Sequence, residues 1–180
     1  DYNLFMKIKK CRSCGGKNLK FLFSLGKMSF TGKFAHNYFN SIAGDKLTLV
    51  ICEKCKLVQL DRNFNPKFLY SKDYGYRTGI NKTMTNHVKD VVREAISKAK
   101  PKNKDYILDI ASNDGTLLNF YSRKFNTVGI DPLINKFRKY YKTIDKKISD
   151  FFSYRVLKKN KINEKFKIVT ALSMFYDLKN

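Results

Sequence analysis

Residues 107–118, Ile-Leu-Asp-Ile-Ala-Ser-Asn-Asp-Gly-Thr-Leu-Leu, restrict the fold of this chain more than any other segment. An apolar run ends in an acid, passes through small and polar residues with one glycine, and then resumes helical patterning. This layout predicts a buried parallel strand, a tight turn and a helix N-terminus, where nucleotide-like ligands settle. A second strand at 127–130 runs into Gly129-Ile130-Asp131-Pro132. An acid at that point can accept hydrogen bonds from two ribose hydroxyls. Asp109, Ala111, Ser112, Asn113, Gly115, Asp131 and Pro132 together therefore read as half of a cofactor site. The bland alternative is a polar turn after a core strand, which leaves Asp131 without a reason.

The surrounding pattern extends this reading. Met84, Val88, Val91, Val92, Ala95, Ile96 and Ala99 recur at spacings of three and four, predicting a helix that starts near Asn81. Asn81 or Thr83 can cap it, and Pro101 follows its end. Beyond it the chain alternates: strand 106–110, helix 116–123, strand 127–130, helix 132–141 with Pro132 in its first turn, strand 143–148 and strand 167–172. Such alternation predicts an α/β fold with a parallel sheet and crossover helices, a doubly wound sheet of the Rossmann-like kind. Four strands leave that sheet incomplete, so the chain is expected to be the N-terminal part of something longer. Asp150-Phe151-Phe152 follows the third strand. There an acid can accept from an adenine amino group while Phe151 lies against the ring; equally, Asp150 can cap the next helix.

The turn at 109–115 has one glycine and is not the phosphate-binding GxGxxG signature. Its extra acid, Asp114, would repel a pyrophosphate together with Asp109. The two acids suit a cationic ligand, and the sulfonium and ammonium of S-adenosylmethionine fit such a place.

The first third of the chain is different in kind. Residues 1–62 hold all four cysteines in short apolar segments and glycine-rich turns, predicting a small β module. Cys11-Arg-Ser-Cys14 and Cys52-Glu-Lys-Cys55 form two CxxC knuckles, each able to present two thiolates to one ion, and two knuckles complete a tetrahedral S₄ site. With no open coordination position, Zn²⁺ there is structural. Two disulfides or a redox pair are the alternatives; the first lacks a secretion signal and the second needs only one knuckle. Residues 63–102 read as an aromatic linker and a helix contributing to a substrate cleft, and 103–180 as the start of a cofactor-binding domain.

Charge points elsewhere. Thirty-seven Lys+Arg against 15 Asp+Glu leave +22, which favours an anionic partner. The basic residues are mostly lysines spread along the chain, as on a solvated surface. No apolar run is long enough for a membrane span and no signal-peptide pattern is present, so the expectation is a cytoplasmic protein with no membrane partner.

Taken in order, Cys11-Arg-Ser-Cys14-Gly, Leu25-Gly26, Cys52-x-x-Cys55-Lys-Leu-Val-Gln59-Leu, Tyr74-Gly-Tyr76-Arg-Thr-Gly-Ile-Asn-Lys-Thr-Met84-Thr-Asn-His87, the 108–118 turn, Gly129-Ile-Asp-Pro132 and Asp150-Phe-Phe152 resemble a known family. It joins a Cys₄ zinc-binding domain to a class I S-adenosylmethionine-dependent methyltransferase domain and C-methylates sugars. The resemblance implies methyl transfer to carbon of a nucleotide-linked keto-deoxysugar. It implies Tyr76 and His87 on the substrate side, and Lys and Arg residues near the cleft engaging the diphosphate. Tyr76 also reads as a packing aromatic, and His87 as a helix-surface histidine. The chain departs from the family at Ala111, where glycine is usual, and at Leu25-Gly-Lys-Met-Ser-Phe, where a proline usually follows. Members also continue beyond the equivalent of residue 180 to a Glu-His pair. The rival reading is a zinc-ribbon nucleic-acid-binding protein, which leaves the 107–131 pattern unexplained; a non-catalytic fragment that keeps zinc and cofactor half-sites is a third. Nucleic acid is therefore not the expected partner, and the oligomeric state is open.

Overall fold

Antiparallel pairing dominates the first part of the chain and parallel pairing the second, and the division falls between two compact units, Asp1–Gly75 and Tyr76–Asn180. The computed structural model describes residues 5–30, 35, 37 and 44–174. In the first unit β1 (Phe5–Lys7) pairs with β5 (Arg62–Phe64). A second sheet has the order β2 (Leu19–Ser29), β3 (Gly44–Cys52), β4 (Val58–Leu60), all antiparallel. Two register shifts interrupt β2 against β3, and Gly26 occupies the second with φ +75°, a conformation that favours glycine. Asn65 caps the short helix α1 (Pro66–Leu69), whose Pro66 sits where no helical N–H is needed. Phe30 meets both Phe64 and Phe68 edge to face, at 5.2 and 5.4 Å between ring centroids.

The second unit opens with α2 (Lys82–Ala99). Asn81 is its cap: the side chain accepts from the Met84 N–H at 3.1 Å. The helix ends at Lys100 in the left-handed conformation, just before Pro101. Its apolar stripe buries Val88 and Val92. Four parallel strands follow, β6 (Tyr106–Ile110), β7 (Asn126–Ile130), β8 (Lys146–Ile148) and β9 (Phe166–Thr170), in the spatial order β8-β7-β6-β9. The chain thus winds one way from β6 to β8 and returns to the other side of β6, and strand order reverses between β6 and β9. Leu108, Ile110, Val128, Ile130 and Ile148 form one buried face of the sheet against Leu157 and Ile162.

Two helices expected from the pattern are much shorter than predicted. The 116–123 segment contains only a 3-10 turn, Leu118–Phe120, and 132–141 contains α3 (Ile134–Phe137) followed by a 3-10 turn, Arg138–Tyr140. Pro132 lies ahead of α3, not in its first turn. Asn119 supplies the physical reason. Its amide donates to the Tyr140 carbonyl at 2.8 Å and accepts from the Lys142 N–H at 3.1 Å, tying the two crossovers together. Asn, Phe, Tyr and Ser at 119–122 are weak helix formers and do not resist this. The helix after Asp150 is α4 (Tyr154–Lys159), and its cap is Ser153, not Asp150. No helix among the described residues is long and apolar enough to cross a membrane.

The cap assignment separates two neighbouring residues. Asn81→Ala should lower the stability of the second unit by about 1 kcal/mol, whereas Thr83→Ala should change it little. Denaturant unfolding followed by circular dichroism compares them directly.

Candidate functional site

The first candidate site is built by two turns with the same wiring. In each, the N–H four residues past the first cysteine donates to that cysteine's carbonyl: Gly15 to Cys11 at 3.0 Å and Lys56 to Cys52 at 2.8 Å. Each first cysteine in turn donates its own N–H five residues on, Cys11 to Gly16 O and Cys52 to Leu57 O. Both turns require a left-handed residue, met by Gly15 (φ +69°) and Lys56 (φ +62°). A Cβ at Gly16 would stand 3.3 Å from both Cys14 Sγ and Cys52 Sγ, so glycine there lets the backbone close on the sulfurs.

The four Sγ atoms all lie within 4.8 Å of one another, with Cys11–Cys55 at 3.6 Å and Cys14–Cys52 at 3.5 Å. Sulfurs about 2.3 Å from a central zinc stand about 3.8 Å apart in a tetrahedron, so the donor set fits Zn²⁺. Backbone N–H groups pull two thiols down: Cys14 N–H helps bring Cys11 to about 6, and Cys55 N–H lowers Cys52. For Cys55, the Leu57 N–H acts downward but neighbouring Cys14, burial and the other thiols outweigh it, and the group stands at about 11. Zinc bound here would fix the two knuckles and supply no open position for chemistry.

Gln59 and Arg12 were not singled out as functional by the sequence pattern, yet they hold the cluster. Gln59 Nε2 donates to Cys11 Sγ at 3.2 Å, and Gln59 Oε1 accepts from the Arg12 N–H and Nη1 at 3.1 and 3.2 Å. Arg12 also donates to the carbonyls of Leu60 and Arg62 at 2.7 and 2.9 Å, fastening the first knuckle to β4 and β5. Gln59 four residues past the second knuckle was the available signal.

The second candidate site is the turn after β6. Ala111, Asn113 and Gly115 all have positive φ, at 56°, 50° and 73°. Ala111 thus carries a methyl group in a conformation that glycine adopts freely. Asp131, just past β7, accepts from the Asn113 N–H at 2.9 Å and the Leu133 N–H at 2.7 Å. Asp109 accepts from Thr170 Oγ1 at 2.6 Å. Tyr141 ties the turn together: its hydroxyl donates to the Asn113 carbonyl and accepts from Ser112 Oγ, each at 2.8 Å. A Cβ at Gly115 would come within 2.9 Å of the Tyr141 ring. Asp109, Ser112, Asn113, Gly115 and Asp131 are therefore one cluster, with Ala111 and Pro132 in its backbone.

Burial raises both acids. Asp109 stands at about 7 because it is buried, with the Thr170 hydrogen bond opposing and the Asp131 charge adding. Asp131 stands at about 6 because it is buried, although two backbone N–H groups oppose and Asp114 adds. Burial and Asp109 also push the Tyr121 hydroxyl, which has no hydrogen-bond partner among the described residues, up to about 12.

Asp114 departs from expectation. Rather than facing a cationic ligand it is fully buried and accepts from the Gly79 N–H at 3.0 Å and from Thr116 N–H and Oγ1 at 3.2 and 2.6 Å. Arg77 Nη1 stands 3.8 Å from it while its guanidinium lies 3.7 Å over the Tyr140 ring. Asn113 accepts from the Thr78 N–H at 2.9 Å and donates to the Tyr76 carbonyl at 3.3 Å. Segment 76–80 is thus strapped to the turn, and the exposed Tyr76 is held beside it through its backbone. His87 is exposed on α2, and no hydrogen bond or ion pair among the described residues joins it to this cluster. The same is true of Asp150, whose carboxylate accepts from the Phe151 N–H at 2.8 Å.

Two CxxC knuckles around four converging sulfurs define a structural zinc-binding module. Residues 11–70, about a third of the chain, match the family model Methyltransf_13, "Putative zinc binding domain". This stretch is a methyltransferase-associated zinc-binding domain, and the resemblance read from the cysteine motifs holds for it. No curated protein matches the chain.

Two outcomes are expected. Purified chain should carry one zinc ion by elemental analysis, and Cys52→Ser or a strong chelator should release it and unfold the first unit. The buried acids predict an inverted pH dependence for the second unit. Asp109 binds its proton up to about pH 7 when folded but only below about pH 4 when unfolded. The folded state therefore holds more protons between those limits, and its stability should rise as pH falls from 7 to 4. Asp109→Asn should flatten that rise and stabilise the unit at pH 8, on the order of a few kcal/mol, in denaturant titrations at several pH values.

Proposed function

We propose that this chain serves S-adenosylmethionine-dependent methylation, with carbon of a nucleotide-linked keto-deoxysugar as acceptor. The observation that carries the reading is the methyltransferase-associated zinc-binding domain at residues 11–70, followed by a parallel sheet whose two central strands lead into buried aspartates. The order β8-β7-β6-β9 agrees with a doubly wound sheet, in which ligands lie beyond the C-terminal strand ends near the reversal of strand order.

On this reading the turn at 111–115 passes close beneath the cofactor, and Asp131 accepts from its ribose. Each carboxylate oxygen of Asp131 takes one backbone N–H and keeps a second lone pair for such a contact. Asp109, which holds its proton up to about pH 7 in the free chain, would give it up on meeting the cofactor's cationic end, since a nearby positive charge favours the carboxylate. When bound, the cofactor supplies an electrophilic methyl group on sulfur. The acceptor carbon must lose a proton next to its carbonyl, so a base and a stabiliser of the enolate are needed. Tyr76, held at the turn by Asn113, and His87 are the residues of this chain proposed for the substrate side.

Calorimetry with adenosylmethionine tests the proposal. Saturable binding is expected, weakened at least about tenfold in Asp131→Asn, which keeps an oxygen for one of the two backbone donors. Circular dichroism checks that the variant is folded. Absence of binding, or an affinity that Asp131→Asn leaves unchanged, would sink it. The net charge of +22 favours a nucleic-acid-binding surface instead; that reading requires DNA affinity falling steeply from about 50 to 200 mM salt.

A further inference from the structure

Asp114 has no use in the cofactor reading, yet it is the most deeply buried of the three acids at this turn. One of its oxygens is taken by Thr116. The other accepts from the Gly79 N–H at 3.0 Å, with Arg77 Nη1 3.8 Å away. Its neighbour Asn113 grips the same segment just upstream. It donates to the Tyr76 carbonyl at 3.3 Å and accepts from the Thr78 N–H at 2.9 Å. Thr78 and Gly79 open the 3-10 turn Thr78–Ile80, and Arg77 gives that turn no side-chain cap. The N–H groups that a helical start leaves over are met instead from 35 residues away.

Space is as specific as the bonding. A Cβ at Gly79 would stand 2.6 Å from Thr116 Oγ1 and 2.8 Å from Asp114 Oδ2, so the strap seats only because that residue has no side chain. Arg77 fastens the upstream end, its guanidinium 3.7 Å over the Tyr140 ring. All of these groups belong to the second unit. Asn113 is the joint: its backbone N–H donates to Asp131 Oδ2 at 2.9 Å while its side chain holds the strap. Its φ of 50° is a state that surrounding contacts must hold in place. A shift of Asp131 is therefore felt, one bond later, by the residue that carries 76–80.

We propose that Asn113 and Asp114 are positioning residues that couple the cofactor turn to segment 76–80. A nucleoside held by Asp131 fixes the strap, and the seated strap tightens the hold on the nucleoside. This rests on the reading that adenosylmethionine occupies the turn. Coupling between two sites is reciprocal, so a strap that cannot seat weakens cofactor binding without touching the cofactor. Asp114 takes no ligand; it helps set where Tyr76 stands.

Two measurements on the zinc-loaded full chain test the coupling. Hydrogen exchange followed by NMR reads the Thr78 and Gly79 amides, the two that the clamp holds. Saturating adenosylmethionine should slow both at least about fivefold in the wild type. Calorimetry then compares variants outside the cofactor contacts. Gly79→Ala has no room for its methyl group, and Thr78→Pro removes one donor where proline suits a helical start. Each should weaken adenosylmethionine about fivefold or more. Asn81→Ala destabilises the same unit at the cap of α2 but spares the clamp, and should leave the affinity unchanged. Exchange that the cofactor does not alter would overturn the coupling while leaving the cofactor site standing. So would strap variants, folded by circular dichroism, that bind as the wild type does. Equal weakening by Asn81→Ala would also overturn it, since lost stability alone would then explain the effect. No adenosylmethionine binding by the wild type would remove the underlying reading, and the coupling with it.

Discussion

Four thiolates drawn to one point take the place of a hydrophobic core in the first unit. Among its described residues, Val50 is the one buried aliphatic side chain; the other buried apolar groups, Cys11 and Cys52, belong to the cluster itself. The carbon buried among the described residues of this unit is too little to offset their chain entropy by burial. A structural zinc contributes about 10–16 kcal/mol to folding, against about 3–5 kcal/mol from the core of a scaffold this small. The metal term decides the balance. Gln59, Arg12 and Gly16 then follow as consequences: one donates to a sulfur, one ties a knuckle to the strands, and one leaves room for sulfur to approach.

The second unit is organised in the opposite way. Its sheet is buried on a continuous apolar face, and the polar groups gather at the strand ends, where Asp109, Asp114 and Asp131 are all almost fully buried. Each carboxylate is satisfied differently. Asp114 serves the 76–80 strap, Asp131 holds the turn by two N–H groups, and Asp109 accepts from the Thr170 hydroxyl. Tyr141 covers the turn and makes Gly115 obligatory, while Ala111 occupies a backbone state that costs about 1–2 kcal/mol without a glycine. Strain and buried charge are concentrated in one small region, as in sites built for a ligand.

Much of this was legible in the sequence wherever the determining interactions are local. The cysteine pairs announce their knuckles because spacing alone sets whether two sulfurs can share an ion. Helix α2 and strands β6 and β7 follow from apolar periodicity, and Asn81 from its position before that pattern. The crossovers were less legible. Thr116–Arg123 has an adequate apolar rhythm, but Asn119 bonds to residues beyond β7 and the helix gives way. Asp114 was misread for a related reason: its partner is the backbone of Gly79, which has no side chain to advertise it. Asp150 had two readings, adenine acceptor and helix cap, and the nearer Ser153 took the second role because its hydroxyl reaches the Val156 N–H.

The wiring of the zinc module has a consequence for how its strands find one another. Leu19 stands opposite Cys52 in the β2–β3 ladder, and the first knuckle lies just upstream of that pairing. Successive residues of a strand point to opposite faces, so sliding β3 by a single position would swing Cys52 away from Cys14. The ion's fourfold grip would then be lost. Coordination thus acts as a proofreader of strand alignment, rejecting mispaired hairpins that a sheet with so little core would otherwise tolerate.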